Sequence, residues 1–370
     1  MDREGNSDPI PIDIILEILS RLSTKSIAKF GLASKFCASI LSRPDFRELF
    51  LTTRSSSRPR LLFAVNYSDK WRLYSSHQPQ NPDENHSLIV AADFHMEVVE
   101  YMAPHNNYGP VSGLLYFPSM HFQDRDNVPV ICNPSTGQYA RLPQLRGEST
   151  WRSLLGYDPI GKQYKVLAIS NSSDGEGNIL TLGTGKMSWS MIQGRLNHYR
   201  PRSGGICING VLYYITFGNV AKIVCFDVRY EKLSFLDADS TTRIISKTTK
   251  LIHYKGRLGM ISLYCYRRPV NFELRLWILE DPQIQKWLEH HYTLPVDIVG
   301  EDEISVVGVT ANGEIVLSKD YISNPFFVFY FYPERNALER VGIQGFEALV
   351  AKSRSKVYTF VDYIEDFKFI

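Results

Sequence analysis

Two short stretches of the sequence contain residue types that can carry out chemistry, and neither has the partners that its chemistry needs. Gly183-Thr184-Gly185-Lys186-Met187 has the glycines and the lysine of a phosphate-binding loop, but it lacks the earlier glycine and the Ser or Thr after the lysine. His290 and His291 are neighbours, without the partner carboxylate spacing of a zinc-binding helix. No serine stands in a Gly-x-Ser-x-Gly turn. The sequence therefore predicts a protein with no catalytic residues, no metal and no cofactor.

The five cysteines give no sign of a metal or disulfide framework. The closest two, Cys207 and Cys225, are 18 residues apart, and no Cys-x-x-Cys pair occurs. Cys37, Cys132 and Cys265 are farther from any neighbour. We therefore predict that the cysteines are small hydrophobic side chains in a reducing compartment.

Length and charge narrow the function classes. With 370 residues, 44% of them hydrophobic, the chain can bury a large core in one large or two smaller domains. The net charge of +2 predicts no nucleic-acid partner, since the first 60 residues have ten Lys or Arg against seven Asp or Glu and the remainder has 31 against 32. The first residues lack the pattern of a secretory signal, and no segment reaches the roughly 18 apolar residues of a membrane span. We expect a soluble protein of the cytoplasm, the nucleus or both.

Residues 10–51 show the hydrophobic spacing that is typical of short amphipathic helices. Asp13 is predicted to cap a first helix, Thr24 to cap a second, Ser34 to begin a third and Pro44 to open a fourth. The apolar residues of the first three helices are Ile14, Ile15, Ile18, Leu19, Leu22, Ile27, Phe30, Leu32, Phe36, Cys37, Ile40 and Leu41. Helices this short bury little surface on folding, so we expect them to lack a core of their own and to need an external partner. The alternative is that they only cover the larger domain that follows.

The same residues closely resemble the F-box. The resemblance runs in register through Ile10-Pro11-Ile12-Asp13-Ile14-Ile15-Leu16-Glu17-Ile18-Leu19-Ser20-Arg21-Leu22, Lys25-Ser26-Ile27 and Ala33-Ser34-Lys35. It implies that the helices bind a Skp-type adaptor, which links them to the cullin and the RING subunit of an SCF-type ubiquitin ligase. The residues expected at the adaptor are Ile10, Pro11, Ile14, Ile15, Ile18, Leu19, Leu22, Ile27, Phe36, Cys37 and Ile40.

Two positions depart from the pattern of that family. Ser23 follows the Arg-Leu pair where the family usually has proline, and Cys37 stands where the third helix usually has tryptophan. Buried aromatic residues are frequent anchors of protein interfaces, and losing one costs on the order of a few kcal/mol. The resemblance therefore implies a weakened affinity for the adaptor.

After a polar linker at 52–60, the sequence has the alternation and turn residues of β-hairpins. Turn glycines recur at 113, 161, 210, 256 and 313, with successive differences of 48, 49, 46 and 57 residues. A second hairpin follows each of them, near 130–138, 180–186, 224–232, 276–282 and 329–335. Two hairpins make a four-stranded sheet, which is the unit of a β-propeller blade. We predict five such blades and a sixth that combines the hairpin at 61–74 with strands near 357–361.

Several of these segments resemble the plant F-box-associated domain, which follows an F-box and serves as a substrate-interaction module. The matching segments are Cys132-Asn133-Pro134-Ser135-Thr136-Gly137-Gln138, Leu155-Gly156-Tyr157-Asp158-Pro159, Tyr164-Lys165-Val166-Leu167 and Leu276-Trp277-Ile278-Leu279-Glu280-Asp281, within a likeness that spans most of residues 100–347. The two resemblances imply a disordered start at 1–9, a small all-α F-box at 10–51, the linker, and at 61–370 an all-β, propeller-like substrate domain of about six four-stranded blades. They imply a non-catalytic substrate receptor of a ubiquitin ligase, with an unknown protein as its substrate.

The surface that holds the substrate is predicted from propeller topology. The loops from second to third strand and from one blade to the next lie on one face, and here they contain Tyr and Arg residues, which binding surfaces favour. The tight hairpin turns of the other face are small and polar. We therefore predict that the substrate contacts Tyr199, Arg200, Tyr266 and Arg267.

Two other functions stay open. One is a propeller that binds proteins without any ligase. The other, more distant, is a carbohydrate-active enzyme, because Ser172-Ser173-Asp174-Gly175 is similar to the aspartate boxes of sialidases, although a matching tryptophan is missing.

Overall fold

The fold is given by a computed structural model. It describes residues 10–22, 24–41, 43–55, 59–67, 70–79, 88–98, 109–122, 125–145, 152–170, 177–183, 187–192, 201–202, 204–217, 221–237, 245, 248–267, 270–295, 303–350 and 355–366. Helices occupy the first part of the chain and strands nearly all of the rest. This confirms the predicted change of secondary structure near residue 60.

Four helices form the N-terminal unit: α1 (Ile12–Ser20), α2 (Thr24–Ala33), α3 (Lys35–Leu41) and α4 (Pro44–Ser55). Pro44 opens α4 as predicted, since its missing N–H costs nothing at a first helical position. The Ser34 hydroxyl accepts the N–H of Cys37 at 3.1 Å and so caps α3. The predicted cap of α1 is wrong, because Pro11 holds the cap position and Asp13 lies within the first turn. There its carboxylate interacts favourably with the positive end of the helix dipole.

The helices enclose a small core, which corrects the expectation that they have none. Its buried members are Leu16, Leu19, Ile27, Ile40, Leu41, Phe46 and Phe50. Helix α4 supplies both phenylalanines, whose ring centroids are 6.2 Å apart, and large aromatic groups fill much of the space in so small a unit. The same helix extends through Thr52–Ser55, which were predicted as linker.

The strands form six sheets within the described residues, and the bounds are as follows. The closing blade contains β1 (Arg60–Tyr67), β2 (Lys70–His77), β4 (Asp93–Val98) and β24 (Val357–Tyr363), while β3 (Leu88–Ala91) lies on another blade. Blade 1 contains β5 (Leu115–Phe122), β6 (Arg125–Asn133) and β7 (Gln138–Arg141). Blade 2 contains β8 (Arg152–Asp158), β9 (Gln163–Ile169), β10 (Gly177–Thr181) and β11 (Trp189–Ile192). Blade 3 contains β12 (Ile206–Ile208), β13 (Val211–Phe217), β14 (Ala221–Asp227) and β15 (Lys232–Asp237). Blade 4 contains β16 (Lys250–Tyr254), β17 (Arg257–Arg267), β18 (Val270–Asp281) and β19 (Lys286–Leu294). Blade 5 contains β20 (Ile304–Val309), β21 (Ile315–Lys319), β22 (Phe326–Tyr332) and β23 (Ala337–Gln344), and a short helix, α5 (Glu347–Val350), follows it.

This arrangement is a six-bladed β-propeller, as predicted. Neighbouring strands in sequence pair antiparallel within a blade, and inner strands of adjacent blades contact each other from blade 1 round to the closing blade. An apolar layer joins the closing blade to blade 1. The repeated small-residue turns are the first hairpin of each blade. At Asn209-Gly210 the two residues have φ of +49° and +85°, the type I′ turn that matches the twist of the paired strands. The turn chemistry thus explains why the repeat is visible in the sequence.

The ring closes by joining the two ends of the chain, which confirms the predicted sixth blade. Strand β24 pairs with β1, placing Phe360 opposite Leu62. The side-chain amide of Gln78 donates to Asp362 at 2.8 Å, and the hydroxyls of Ser135 and Tyr363 are 2.6 Å apart. These contacts tie the end of the chain to the closing blade and to blade 1.

Strand β3 is an addition that the sequence analysis did not foresee. It leaves the closing blade and pairs in parallel with β23, so that blade 5 has five strands. The segment Leu88-Ile89-Val90-Ala91 is a short apolar run whose partner is about 250 residues away (341 minus 88), and nothing local specifies that pairing.

Hydrophobic layers between neighbouring sheets hold the ring together. Strand β18 shows how one strand serves two layers: Leu274 and Leu276 face blade 5, whereas Trp277 and Leu279 face blade 3. Successive side chains point to opposite faces of a sheet, so a strand that is covered on both sides is apolar at nearly every position. The part of β18 that extends beyond these layers carries polar residues instead.

Lys250, on the innermost strand of blade 4, has a lowered pKa. Its Nζ donates a hydrogen bond to the Val306 carbonyl oxygen, and burial lowers its pKa to about 8, with Asp320 opposing the shift and Lys356 adding to it. An unfolded lysine titrates near 10.5. Between these values the unfolded chain binds more protons than the folded one, so this residue makes the free energy of unfolding rise with pH over that interval.

Replacing Lys250 by Met is expected to remove this pH-dependent contribution. The melting temperature at pH 7 should rise by about 2–5 °C, because a charge no longer has to be buried, and the gain should shrink as the pH approaches about 10. Thermal melts of variant and wild type at a series of pH values measure it. Lys232→Met, which removes an exposed lysine, is the matched control. A difference that stays constant over this pH range contradicts the assignment.

Candidate protein-binding surfaces

The first candidate surface is an apolar stripe on α1. Ile14 and Ile18 are four residues apart and lie on one side of α1, and Ile10 and Leu22 continue the same spacing just before and just after the helix. Their exposed fractions are 63%, 49%, 54% and 36%. Phe36 on α3 is also 61% exposed. The stripe stays uncovered even though the helices have a core of their own, and such contiguous apolar patches mark interaction sites.

The structure divides the predicted adaptor residues into three groups. Ile10, Pro11, Ile14, Ile18, Leu22 and Phe36 are exposed, and Ile15 and Cys37 are half-buried. Leu19, Ile27 and Ile40 are buried in the helical core of the free protein, and their predicted contact with an adaptor stays a prediction. These three face inward, into the core that the four helices share.

Cys37 lies at the edge of this surface. Its Sγ is 3.1 Å from the Ser34 hydroxyl, which also caps the helix. The residue is half-buried, with the exposed ring of Phe36 next to it. Ser23, the other departure from the family pattern, lies outside the described residues. The small thiol thus lies at the edge of the exposed surface, at the position where the family usually has tryptophan.

The propeller offers two candidate faces. Because strands alternate in direction, the turns from first to second and from third to fourth strand share one side, here named the tight-turn face. The connections from second to third strand and between blades share the other, the open-loop face. Strands β24 and β1 are the first and second strands of the closing blade, so the chain enters the propeller at the tight-turn face, at Arg60.

The predicted substrate residues are only partly within the described part of the chain. Tyr199 and Arg200 lie outside it. Tyr266 and Arg267 end β17 on the open-loop face, and of the two only the Tyr266 side chain is described. Tyr266 is 45% exposed, and its hydroxyl donates to Glu273 at 3.2 Å. The joint surface of these four residues stays a prediction.

The polar network around Tyr266 was not predicted from the sequence. Glu273 accepts Nε–H of Arg275 at 2.7 Å and lies 3.2 Å from Nδ1 of His291, whose Nε2 is 3.0 Å from Glu289. The Arg275 guanidinium, with smaller contributions from His291 and Tyr266, lowers the pKa of Glu273. Arg275 and His291 stand opposite each other on β18 and β19, a pairing that only the strand register reveals. The prediction that His290 and His291 lie at the surface is confirmed, since both are exposed.

The stretches that first suggested chemistry do not assemble a site within the described residues. Gly183 follows β10 with φ of +82°, a turn conformation, while residues 184–186 and 171–176 lie outside the described part. In the portion of the chain that the structure describes, no three His, Cys, Asp or Glu residues are grouped so as to hold a metal. No helix there is long and apolar enough to cross a membrane.

A helical unit with an uncovered apolar stripe, joined to a six-bladed propeller, defines a class of two-part interaction proteins. Comparison with known proteins identifies the class. Residues 9–49 match the F-box domain, and residues 60–364 match the F-box associated beta propeller domain. The chain belongs to the family of F-box proteins that carry this propeller.

Relatives extend over the whole chain. Putative F-box protein At5g52620 of Arabidopsis thaliana is 59% identical, covering 100% of both chains. F-box protein DOR of the same plant is 42% identical, covering 100% of this chain and 96% of its own length. Among solved structures, a luciferin-regenerating enzyme shares 12% identity at a TM-score of 0.42, covering 71% of this chain and 95% of its own.

Family membership supports, in general terms, the role of a substrate adaptor in an SCF-type ubiquitin ligase. Proteins of this family are typically adaptors without a catalytic activity of their own.

Proposed function

We propose that this protein is the substrate-recognition subunit of an SCF-type ubiquitin ligase. The F-box binds a Skp-type adaptor, which brings the cullin and the RING subunit, and the propeller binds a target protein. One observation carries the adaptor half of the proposal: Ile10, Ile14, Ile18 and Leu22 remain exposed in a stripe on a helical unit whose core is already closed. Covering such a stripe removes apolar surface from water, which stabilises the complex by about 25 cal/mol per Å² of buried apolar surface.

Co-expression with a plant Skp-type adaptor tests the proposal. We expect the two chains to elute together in gel filtration as a one-to-one complex, and the complex to capture cullin. A propeller module that acts without the ligase is the second candidate, favoured by Cys37 in place of the usual tryptophan. Such a module would bind its target while neither adaptor nor cullin co-purifies, so cullin capture separates the two functions.

Restoring an aromatic side chain at position 37 is expected to strengthen adaptor binding. Cys37→Trp should raise the affinity about tenfold or more, since one additional buried aromatic anchor is worth 1.4 kcal/mol or above. Titration of labelled adaptor with each purified variant measures the change. Cys37→Ala removes the thiol without adding a ring and should give no gain. If the tryptophan variant remains folded and binds no better than wild type, the stripe does not meet the adaptor in the way proposed.

For the target protein, the open-loop face is one proposed surface. Tyr199, Arg200, Tyr266 and Arg267 are its proposed contacts. Tyr266, held by Glu273, supports this choice because an aromatic side chain in a fixed position loses little entropy on binding. A protein target rather than a chemical substrate agrees with the adaptor nature of the family.

A further inference from the structure

The tight-turn face carries exposed apolar residues where the sequence analysis expected small polar turns. Ile160 and Ile284 are each 71% exposed, and Tyr230 is 66% exposed. They stand on three consecutive blades: Ile160 in the first turn of blade 2, Tyr230 in the second turn of blade 3 and Ile284 in the second turn of blade 4. They are three of the four most exposed large apolar side chains in the described part of the propeller. The prediction that these turns are small and polar is therefore wrong.

Each of these residues is presented by a turn that an aspartate holds in place. The carboxylate of Asp158 accepts the N–H of Ile160 at 2.9 Å, that of Asp227 accepts the N–H of Tyr230 at 2.8 Å, and that of Asp281 accepts the N–H of Ile284 at 3.4 Å. Such Asx turns fix the backbone at the tip. A side chain that is already held in place loses less entropy when a partner covers it.

The turns themselves do not require apolar side chains. Blade 1 has the same turn, in which the Asn133 side chain accepts the N–H of Ser135 and of Thr136. Thr136 there holds the position that Tyr230 and Ile284 hold in blades 3 and 4, three residues after the Asx residue. Because a polar threonine is compatible with the same turn, turn formation does not explain why Tyr230 and Ile284 are large and apolar.

Direct contacts join the turns of neighbouring blades into one surface. Nζ of Lys165 in blade 2 lies 2.7 Å from Oε1 of Glu231 in the turn of Tyr230. Gly210, in the first turn of blade 3, lies so close to Pro159 that an added Cβ would be 3.2 Å from its Cδ. An equivalent ion pair, Lys255 with Glu334 at 2.9 Å, joins blade 4 to blade 5. The blade repeat places Ile160, Tyr230 and Ile284 along an arc over three consecutive blades of the same face, with direct turn-to-turn contacts from blade 2 to blade 3.

Several cations around this arc lack a carboxylate partner. Lys162, Arg229 and Lys232 are exposed on the same turns, Arg257 is exposed at the first turn of blade 4, and none of the four has a carboxylate partner within the described residues. The nearby acids have other partners: Glu231 pairs with Lys165, Asp227 and Asp281 accept backbone N–H groups, and Glu280 pairs with Lys286. The guanidinium of Arg229 lies 5.6 Å from the centre of the Tyr230 ring. A partner with carboxylates can therefore pair with these four cations when it covers the arc.

We propose that this arc, the turn patch of Ile160, Tyr230 and Ile284 with its surrounding cations, binds an acidic segment of the target protein that carries large apolar side chains. The proposal rests on the proposed function and adds a second surface for the target, on the face opposite the open-loop face. Apolar side chains of the segment cover the three exposed residues, and its carboxylates pair with the cations around them. Blades 2 to 4 lie across the ring from the closing blade, where the chain from the F-box enters on the same face. The target is then held on the side of the ring at which the adaptor-binding helices are attached.

Selection from a displayed library of random 12-residue peptides tests the turn patch. The full-length protein is immobilised through a terminal tag, so the selection does not depend on adaptor binding. We expect the enriched peptides to be rich in Asp and Glu and to contain at least two large apolar residues. Tyr230→Ala combined with Ile284→Ala should weaken their binding at least about tenfold, which corresponds to 1.4 kcal/mol. Arg229→Glu should also weaken peptide binding, and the loss of affinity should be larger at low salt than at high salt, as expected for partly exposed charges.

Tyr266→Ala tests the open-loop face separately. Met191→Ala is the matched control, because it removes a 67% exposed apolar side chain from the outer edge of blade 2, outside both surfaces proposed for the target. The Met191 variant should change peptide affinity less than twofold. Adaptor binding, measured in parallel on every variant, reports separately on the proposed function and should not change in any of them. The turn patch is refuted if the enriched peptides are neutral or basic, if no peptide is enriched, or if binding depends on Tyr266 and not on Tyr230 and Ile284.

Discussion

Replacing both Ile14 and Ile18 by Asp is expected to abolish adaptor binding, with a loss of affinity of at least about 100-fold. Both side chains lie in the middle of the exposed stripe on α1 and are about half exposed in the free protein. In the complex they are covered, so each introduced carboxylate would be taken out of water against an apolar surface. Such a burial costs several kcal/mol unless the charge finds a partner.

This double variant changes the exposed stripe without changing the helical core. Ile14 and Ile18 lie outside the helical core, so the variant should retain the helical content and melting behaviour of wild type. Met191→Asp is the control, since it makes the same kind of change at a 67% exposed apolar residue on the outer edge of blade 2. It should leave adaptor affinity unchanged. If the double variant binds the adaptor within threefold of the wild-type affinity, the stripe is not part of the adaptor interface.

The second large effect is expected on stability, at the point where the ring closes. Trp71 on β2 is 1% exposed, and its ring centroid lies 5.8 Å from that of Phe117 in blade 1 and 5.6 Å from that of Tyr358 on β24. Trp71 therefore packs against both β24 and blade 1, at the point where the propeller closes. Trp71→Ala should lower the free energy of unfolding by about 3–5 kcal/mol, through lost apolar burial and the cavity left behind.

Chemical denaturation measures this loss, and two further variants identify its cause. Trp71→Phe keeps a ring in the layer, and the indole N–H of Trp71 makes no hydrogen bond within the described residues, so this variant should cost less than half as much. Trp287→Ala removes a half-buried tryptophan from the outer strand of blade 4 and should also cost less. Equal losses for Trp71→Ala and Trp287→Ala would show that ring closure does not depend on this residue.

The parts of the fold that could be predicted are those with a local signal. The stripe on α1 follows from a spacing of four residues, and the blade count follows from the recurring turn glycines. Four of these five glycines have positive φ, whereas in blade 2 the residue with positive φ is Lys162, next to Gly161. The closing blade was also predictable, since two segments with strand character were left over at the chain ends. In each case residues near one another in sequence carry the information.

The features that were missed depend on contacts between distant segments. Strand β3 pairs with β23 across the chain, and the core of the helical unit depends on Phe46 and Phe50 reaching α1 to α3. For the same reason, periodicity alone could not separate Leu19, Ile27 and Ile40, which face that core, from the exposed stripe. Propeller topology already placed the tight turns on one face, but only the structure shows how far Tyr230 and Ile284 are exposed there.

Calorimetric titration of a purified Skp-type adaptor with the full-length protein tests the proposed receptor function most directly. We expect a stoichiometry of one to one and a Kd of about 1 µM or tighter, equivalent to at least about 8.2 kcal/mol. The Ile14→Asp, Ile18→Asp variant should show no binding in the same titration. If folded wild-type protein gives no binding at adaptor concentrations of about 50 µM, where a Kd of that size would be saturated, the F-box is not a functional adaptor site and the ligase role is contradicted.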